Sequence, residues 1–198
     1  MGLVLRSATR ATTVAIGRAL GAAMEPLPRG GLVVVLLGDL GAGKTVLAGG
    51  IAAGLGVPPT SPVVSPTFTF ARGYRGRVPL FHLDAYLVRS AGDLEASGYE
   101  ELGGEGRVTV VEWGDRIADA LPADRLEVTL RPDPTPSDGA LPAMPGVPAA
   151  ALPAGAPQSA PEPPSGRVLA FVAGGPSARA VLERAREALV AVATEVVS

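Results

Sequence analysis

Residues Gly38 to Thr45 read GDLGAGKT and meet every fixed position of the pattern G-x-x-x-x-G-K-[ST]. Gly38, Gly41 and Gly43 let the backbone curl until successive N–H groups face one point, as a ligand with several phosphate oxygens requires. In that pattern Lys44 reaches the β- and γ-phosphates and the Thr45 hydroxyl is a ligand for Mg2+. A glycine turn with no ligand is the plainer explanation in a chain with 26 glycines. The basic residues argue against it: of 17, all but Lys44 are arginine. A chain that uses arginine wherever either cation serves has kept lysine where a compact charge on a flexible stem is needed and a planar fork is not.

Phosphoryl chemistry on Mg2+ also needs a carboxylate near the metal, usually at the end of a neighbouring strand. Two positions qualify. Glu112 ends the apolar run VTVV and precedes Trp113, the only tryptophan; Asp84 ends VPLFHLD, two residues after His82, the only histidine. Taken singly, each carboxylate is as well explained as a helix cap or a solvated strand end, His82 as a packed core residue, and Trp113 as packing rather than an adenine platform. Both carboxylates share one metal if water bridges them, and their roles are not separable by sequence. Ser65, Pro66 and Thr67 form a further candidate, because GTPases keep a γ-phosphate-sensing threonine in the corresponding loop. A plain turn explains S-P-T equally well.

The elements that must position these groups follow from periodicity and punctuation. Thr12–Ala23 is an amphipathic helix, broken by MEPLPRGG. LVVVLL, Leu32–Leu37, is the continuous apolar run of a parallel strand covered on both faces, and it runs through the glycine loop into a helix over Val46–Gly56. FTFARGY and VPLFHLDAY predict two strands, a hairpin joined around Gly73–Arg77. A short helix follows over Asp93–Leu102, then a buried strand at Val108–Glu112, a short helix at Asp115–Leu121 and a strand at Arg125–Leu130. Between Pro132 and Gly166 lie 11 of the 20 prolines and no aromatic residue, a composition that buries too little apolar surface to fold, so residues 132–166 are expected to be a flexible insertion. Arg167–Ala173 resumes as a strand and the chain closes on a helix with Ser177 as its cap. That pair either docks on the same domain, which is the expectation for one domain over residues 1–198, or forms a separate appendage. The fold class expected is α/β, a P-loop NTPase-like three-layer sandwich with a central, mostly parallel sheet.

Composition narrows the rest. A net charge of -2 gives no general attraction to nucleic acid, which leaves a local patch or a partner protein to make any such contact. The absence of cysteine removes disulfides and thiolate chemistry, and a single histidine removes a multi-histidine metal site. The apolar runs are too short to cross a bilayer and no signal core follows Arg6 and Arg10, so a soluble, cytoplasmic protein without membrane contact is expected.

In order and spacing, GDLGAGKT, SPTF at Ser65–Phe68, H-x-D-x-Y at His82, Asp84 and Tyr86, and VEW at Val111–Trp113 together resemble the TsaE (YjeE) family. The resemblance spans Thr12 to about Leu130 and extends to the strand and helix from Arg167. It implies a bacterial ATPase required for threonylcarbamoyladenosine on tRNA, hydrolysing Mg-ATP to support turnover of a TsaD and TsaB complex and meeting tRNA only through that complex. It further implies ATP phosphate contacts from Asp39, Leu40, Gly41, Ala42, Gly43, Lys44 and Thr45, Mg2+ held by Thr45 and Glu112, Asp84 supporting hydrolysis, Thr67 as the switch, and Trp113 and Arg167 near the nucleotide. Two positions depart from the family pattern: Leu87 replaces the arginine that usually follows Tyr86, with Arg89 nearby, and Gly114 replaces a proline. The competing readings are a small-molecule kinase of the P-loop class, which needs an arginine-rich lid where this chain has only Arg72, Arg75 and Arg77 in a turn, and a nucleotide-binding partner without turnover.

Overall fold

The computed structural model describes residues 1–89, 93, 95, 105–133 and 166–197. One eight-stranded sheet forms the frame, built from β1 (Gly2–Ser7), β2 (Leu32–Leu37), β3 (Ala71–Tyr74), β4 (Leu80–Asp84), β5 (Val108–Glu112), β6 (Arg125–Pro132), β7 (Arg167–Ala173) and β8 (Glu195–Val196). Its order is β3-β4-β5-β2-β6-β7-β1-β8. The four central strands, β4, β5, β2 and β6, pair in parallel, and the strands on either flank are antiparallel.

β2 is central because its sequence suits no other place. Leu32 through Leu36 are all buried, which a strand attains only when both faces are covered. On one face Leu32, Val34 and Leu36 join the main core with α1 (Arg10–Ala23), α2 (Lys44–Gly54) and α3 (Pro176–Val192). On the other, Val33 and Val35 pack with Leu83, Ala85, Val88, Val111, Ile117 from a 3-10 helix at Gly114–Ala120, and Leu121 at the end of that helix. Glycines in α2, unusual in a helix interior, allow a close helix pair: a Cβ on Gly17 of α1 would stand 2.9 Å from the Gly50 Cα of α2.

Several elements differ from or add to the sequence expectations. Gly2–Ser7, for which no element was expected, is a strand; its alternation in burial carries Leu3 and Leu5 into the core beside β7. FTFARGY is only half strand. Residues 67–70 turn instead, with the Thr69 N–H donating to the Pro66 carbonyl at 3.0 Å, Phe70 at φ 60° and the Phe68 ring exposed. The expected helix over Asp93–Leu102 lies outside the described residues except for Asp93 and Glu95, both helical. The expected proline-rich insertion lies outside them apart from its ends: Pro132 pairs with Arg167 across β6 and β7, and the Asp133 N–H donates to Gly166 at 3.0 Å. The chain thus leaves and rejoins the sheet at one place. From there β7 runs between β6 and β1, and Ala178, Val181, Leu182, Ala185 and Leu189 of α3 are buried in the main core.

Ser177 does not cap α3. Its cap position is Gly175, and the Asp124 carboxylate, from the loop before β6, accepts the backbone N–H of Ser177 at 2.9 Å and of Ala178 at 3.0 Å. Burial pushes the Asp124 carboxyl up, but these two bonds, together with the Ser177 hydroxyl, pull it further and leave it below its ordinary value. A depressed carboxyl contributes stability above its unfolded pKa and loses it as pH falls through the folded one. Asp124→Ala is therefore expected to cost about 1 kcal/mol at neutral pH, with the gap to wild type closing in acid; urea unfolding at neutral and acidic pH checks both.

Candidate functional site

The register of the parallel strands assembles the site. Leu36 of β2 lies opposite Glu112 of β5, and Glu112 lies opposite Asp84 of β4, so the glycine loop after β2 and both carboxylates share one sheet edge. Ligands gather at that carboxyl edge in open α/β sheets. Crossing bonds fix the strand ends: the Trp113 N–H donates to Leu36 at 3.1 Å and the Ala85 N–H to Glu112 at 3.0 Å.

The loop has the shape its glycines permit. Gly38, Gly41 and Gly43 have φ of 135°, 80° and 102°, in the range L side chains avoid. Gly43 is the N-cap of α2, and no side chain caps that helix, whose positive end faces the site. The Lys44 ammonium folds back over the loop, donating to the Gly38 carbonyl at 2.6 Å and the Asp39 carbonyl at 2.9 Å, and lies 3.6 Å from the centroid of the Trp113 ring. Burial lowers the Lys44 pKa from its ordinary value, opposed by the negative charges of Glu112, Asp84, Asp115 and Asp39.

The two carboxylates have different partners. Glu112, 2% exposed, accepts the Thr45 hydroxyl on Oε2 at 3.1 Å, while Oε1 lies 3.0 Å from His82 Nε2. His82 is fully buried and sits on the same strand face as Asp84, which explains the H-x-D spacing: positions two apart in a strand share a face. Asp84 is 1% exposed; its Oδ2 accepts the hydroxyls of Ser65 and of Thr67, the latter at 2.7 Å, and its Oδ1 accepts the Tyr86 N–H at 2.9 Å. The turn at residues 67–70 brings Thr67 there.

These groups open onto one cavity of about 420 Å3, within the range of small-molecule sites. Leu40, Gly41, Gly43, Lys44, Thr45, Thr67, Asp84, Glu112, Trp113 and Arg167, all candidates from sequence, line it. Asp39 and Ala42 do not. Asp39 borders a separate cleft beside residues 129–132, and the Ala42 carbonyl accepts Arg167 Nε at 2.8 Å, so Arg167 braces the loop as well as lining the cavity. Arg10 and Ser65 also line the cavity. Arg10 carried no sequence signal, whereas Ser65 stood in the S-P-T segment. Arg89, considered as a replacement for the arginine absent at position 87, bonds through its backbone N–H to Asp93 at 2.9 Å and is not a lining residue.

The donors suit a magnesium nucleotide. Among the described residues no group of three His, Asp or Glu could hold a metal alone. A Thr45 hydroxyl and one Glu112 carboxylate match Mg2+, which commonly takes one or two carboxylates and completes its shell with phosphate oxygens and water. Among the described residues no helix is long and apolar enough to cross a membrane.

Residues 7–137 match the family model described as TsaE, threonylcarbamoyl adenosine biosynthesis protein. Proteins named tRNA threonylcarbamoyladenosine biosynthesis protein TsaE are similar in sequence. That of Treponema pallidum is 43% identical over 101 residues, 51% of this chain and 73% of its own length. That of Bacillus subtilis is 40% identical over 60% of this chain and 71% of its own, and that of Mycobacterium leprae 42% identical over 60% and 75%. The crystal structure of Bacillus subtilis YdiB superposes with a TM-score of 0.64 at 26% identity, covering 94% of this chain and 95% of that one.

Proposed function

Because the chain belongs to the TsaE family of threonylcarbamoyladenosine biosynthesis proteins, which act in tRNA modification, we propose that it is an ATPase whose hydrolysis of Mg-ATP drives turnover of a TsaD and TsaB complex in the cytoplasm. One observation supports the nucleotide half of the reading: Thr45 on the loop helix and Glu112 on β5 meet at 3.1 Å, and Glu112 is the carboxylate that acts most strongly on the Lys44 charge. The reading takes Thr45 and Glu112 as a magnesium ligand pair and Lys44 as the cation for the phosphates.

The residues divide the work. The loop backbone and Lys44 bind and orient the phosphates; Thr45 and Glu112 hold Mg2+, which when bound draws charge from the phosphate oxygens. His82 fixes the orientation of Glu112. Asp84 accepts two hydroxyls from the Ser65–Thr67 turn, so it sets where that turn stands against the terminal phosphate and orients the attacking water beside it. The partner half of the reading rests on family membership and on the exposed position of this turn, where Phe68 is 91% exposed next to Thr67.

Retention on an immobilised TsaD and TsaB complex tests the whole reading. The wild-type chain with Mg-ATP is expected to be retained, and Lys44→Ala to be lost to the wash. A wild type that binds ATP but is not retained overturns the partner assignment. Transfer of the γ-phosphoryl to a metabolite rather than to water would make it a kinase.

A further inference from the structure

The ammonium of Lys44 has an unexpected neighbour. It has three N–H donors; two go to the Gly38 and Asp39 carbonyls, and the Trp113 ring lies against it at 3.6 Å from the centroid. Ammonium attraction to an aromatic face is strongest for tryptophan and grows when water is excluded, and Lys44 is only 5% exposed. Glu112 and Asp84 are near enough to act on its charge, yet among the described residues Lys44 forms no ion pair. A carboxylate in that place would tie up the cation and a metal ligand together; a ring holds the cation while leaving both available.

The chain goes to some length to set the ring there. Trp113 has φ 59° and ψ 39°, a conformation uncommon for a bulky side chain. It is fixed from both sides by the bond from its N–H to Leu36 and by the Arg116 N–H donating to its carbonyl at 3.1 Å. The next residue is Gly114, where a Cβ would collide with the Val35 side chain. Tyr86 supports the indole with its centroid 5.0 Å away.

We propose that Trp113 is a positioning residue whose indole face holds the Lys44 ammonium against the Gly38 and Asp39 carbonyls, and that the phosphates of a bound nucleotide take the ammonium over from the ring. The hand-over rests on the Mg-ATP reading above; the contact itself does not.

The composition supplies the test, because the chain has one lysine and one tryptophan. Lysine labelled with 13C at the ε position gives a single methylene signal from Lys44. In the nucleotide-free wild type its protons are expected upfield of free lysine, shielded by the indole, and Mg-AMPPNP is expected to move them back downfield. Trp113→Leu should place the nucleotide-free signal at the free-lysine position. Trp113→Phe, a milder change, should leave part of the upfield shift, as a merely structural role would not. A wild-type signal at the free-lysine position overturns the contact. A shielded signal that stays put while calorimetry shows Mg-AMPPNP bound overturns the hand-over. A shielded signal with no binding in calorimetry overturns the Mg-ATP reading and the hand-over with it, and upholds the contact.

Discussion

Lys44→Ala should lower ATP hydrolysis at saturating Mg-ATP by on the order of 100-fold to 1,000-fold, the loss seen when a preorganised donor to developing charge is removed from a dry site. The ammonium is buried, held by the Gly38 and Asp39 carbonyls, and cannot be replaced by water in the same geometry. Lys44→Arg should fare little better, because a planar guanidinium does not fit between two carbonyls and an indole face; phosphate release in single turnover measures both variants. Stability should change little. Burial lowers the Lys44 pKa, so between the folded and unfolded values the unfolded chain binds more protons and stability rises with pH. At neutral pH the desolvation of the ammonium offsets its bonds to Gly38 and Asp39, and nucleotide-free Lys44→Ala is expected to melt close to wild type. A variant that loses activity by unfolding would contradict this, and a thermal melt decides it.

That separation between fold and function also marks which features the sequence disclosed. Glycine loop, lysine and strand-end carboxylates were legible because a strand, a tight loop and a helix in succession leave the backbone little choice, and because parallel strands bring their ends to one edge. Pairings across the chain were not. His82 meets Glu112 only because His82 lies opposite Val110 in register, and no local pattern encodes parallel register. Asp124 caps a helix 53 residues away, so Ser177, adjacent in sequence, was the natural but incorrect choice. β1 alternates in burial but not in residue type, since Leu3, Val4 and Leu5 are all apolar, and its partner β7 is some 160 residues distant and lies past the proline-rich stretch. The turn at residues 67–70 defeated its strand pattern because the bonds from Ser65 and Thr67 to Asp84 fix the chain there in another path.

The same bonds separate the two carboxylates that sequence left equivalent. Asp84 already accepts Ser65, Thr67 and the Tyr86 N–H, so both of its oxygens are engaged within the chain. Glu112 Oε2 accepts only the Thr45 hydroxyl and keeps lone pairs facing the cavity. Under the proposed function, Glu112 is then the magnesium ligand and Asp84 the group that orders the turn and the attacking water. Glu112→Gln preserves shape and can still accept Thr45, so it should fold like wild type, but a neutral amide is a poor partner for a hard cation. Its Mg2+ requirement for hydrolysis is expected to rise on the order of 100-fold, the upper end of what disturbed metal sites lose. Asp84→Asn should instead lower kcat, with a Mg2+ titration midpoint close to wild type. Mg2+ titrations of steady-state phosphate release compare the two directly: a larger midpoint shift in Asp84→Asn than in Glu112→Gln would reverse the assignment and put the metal on β4.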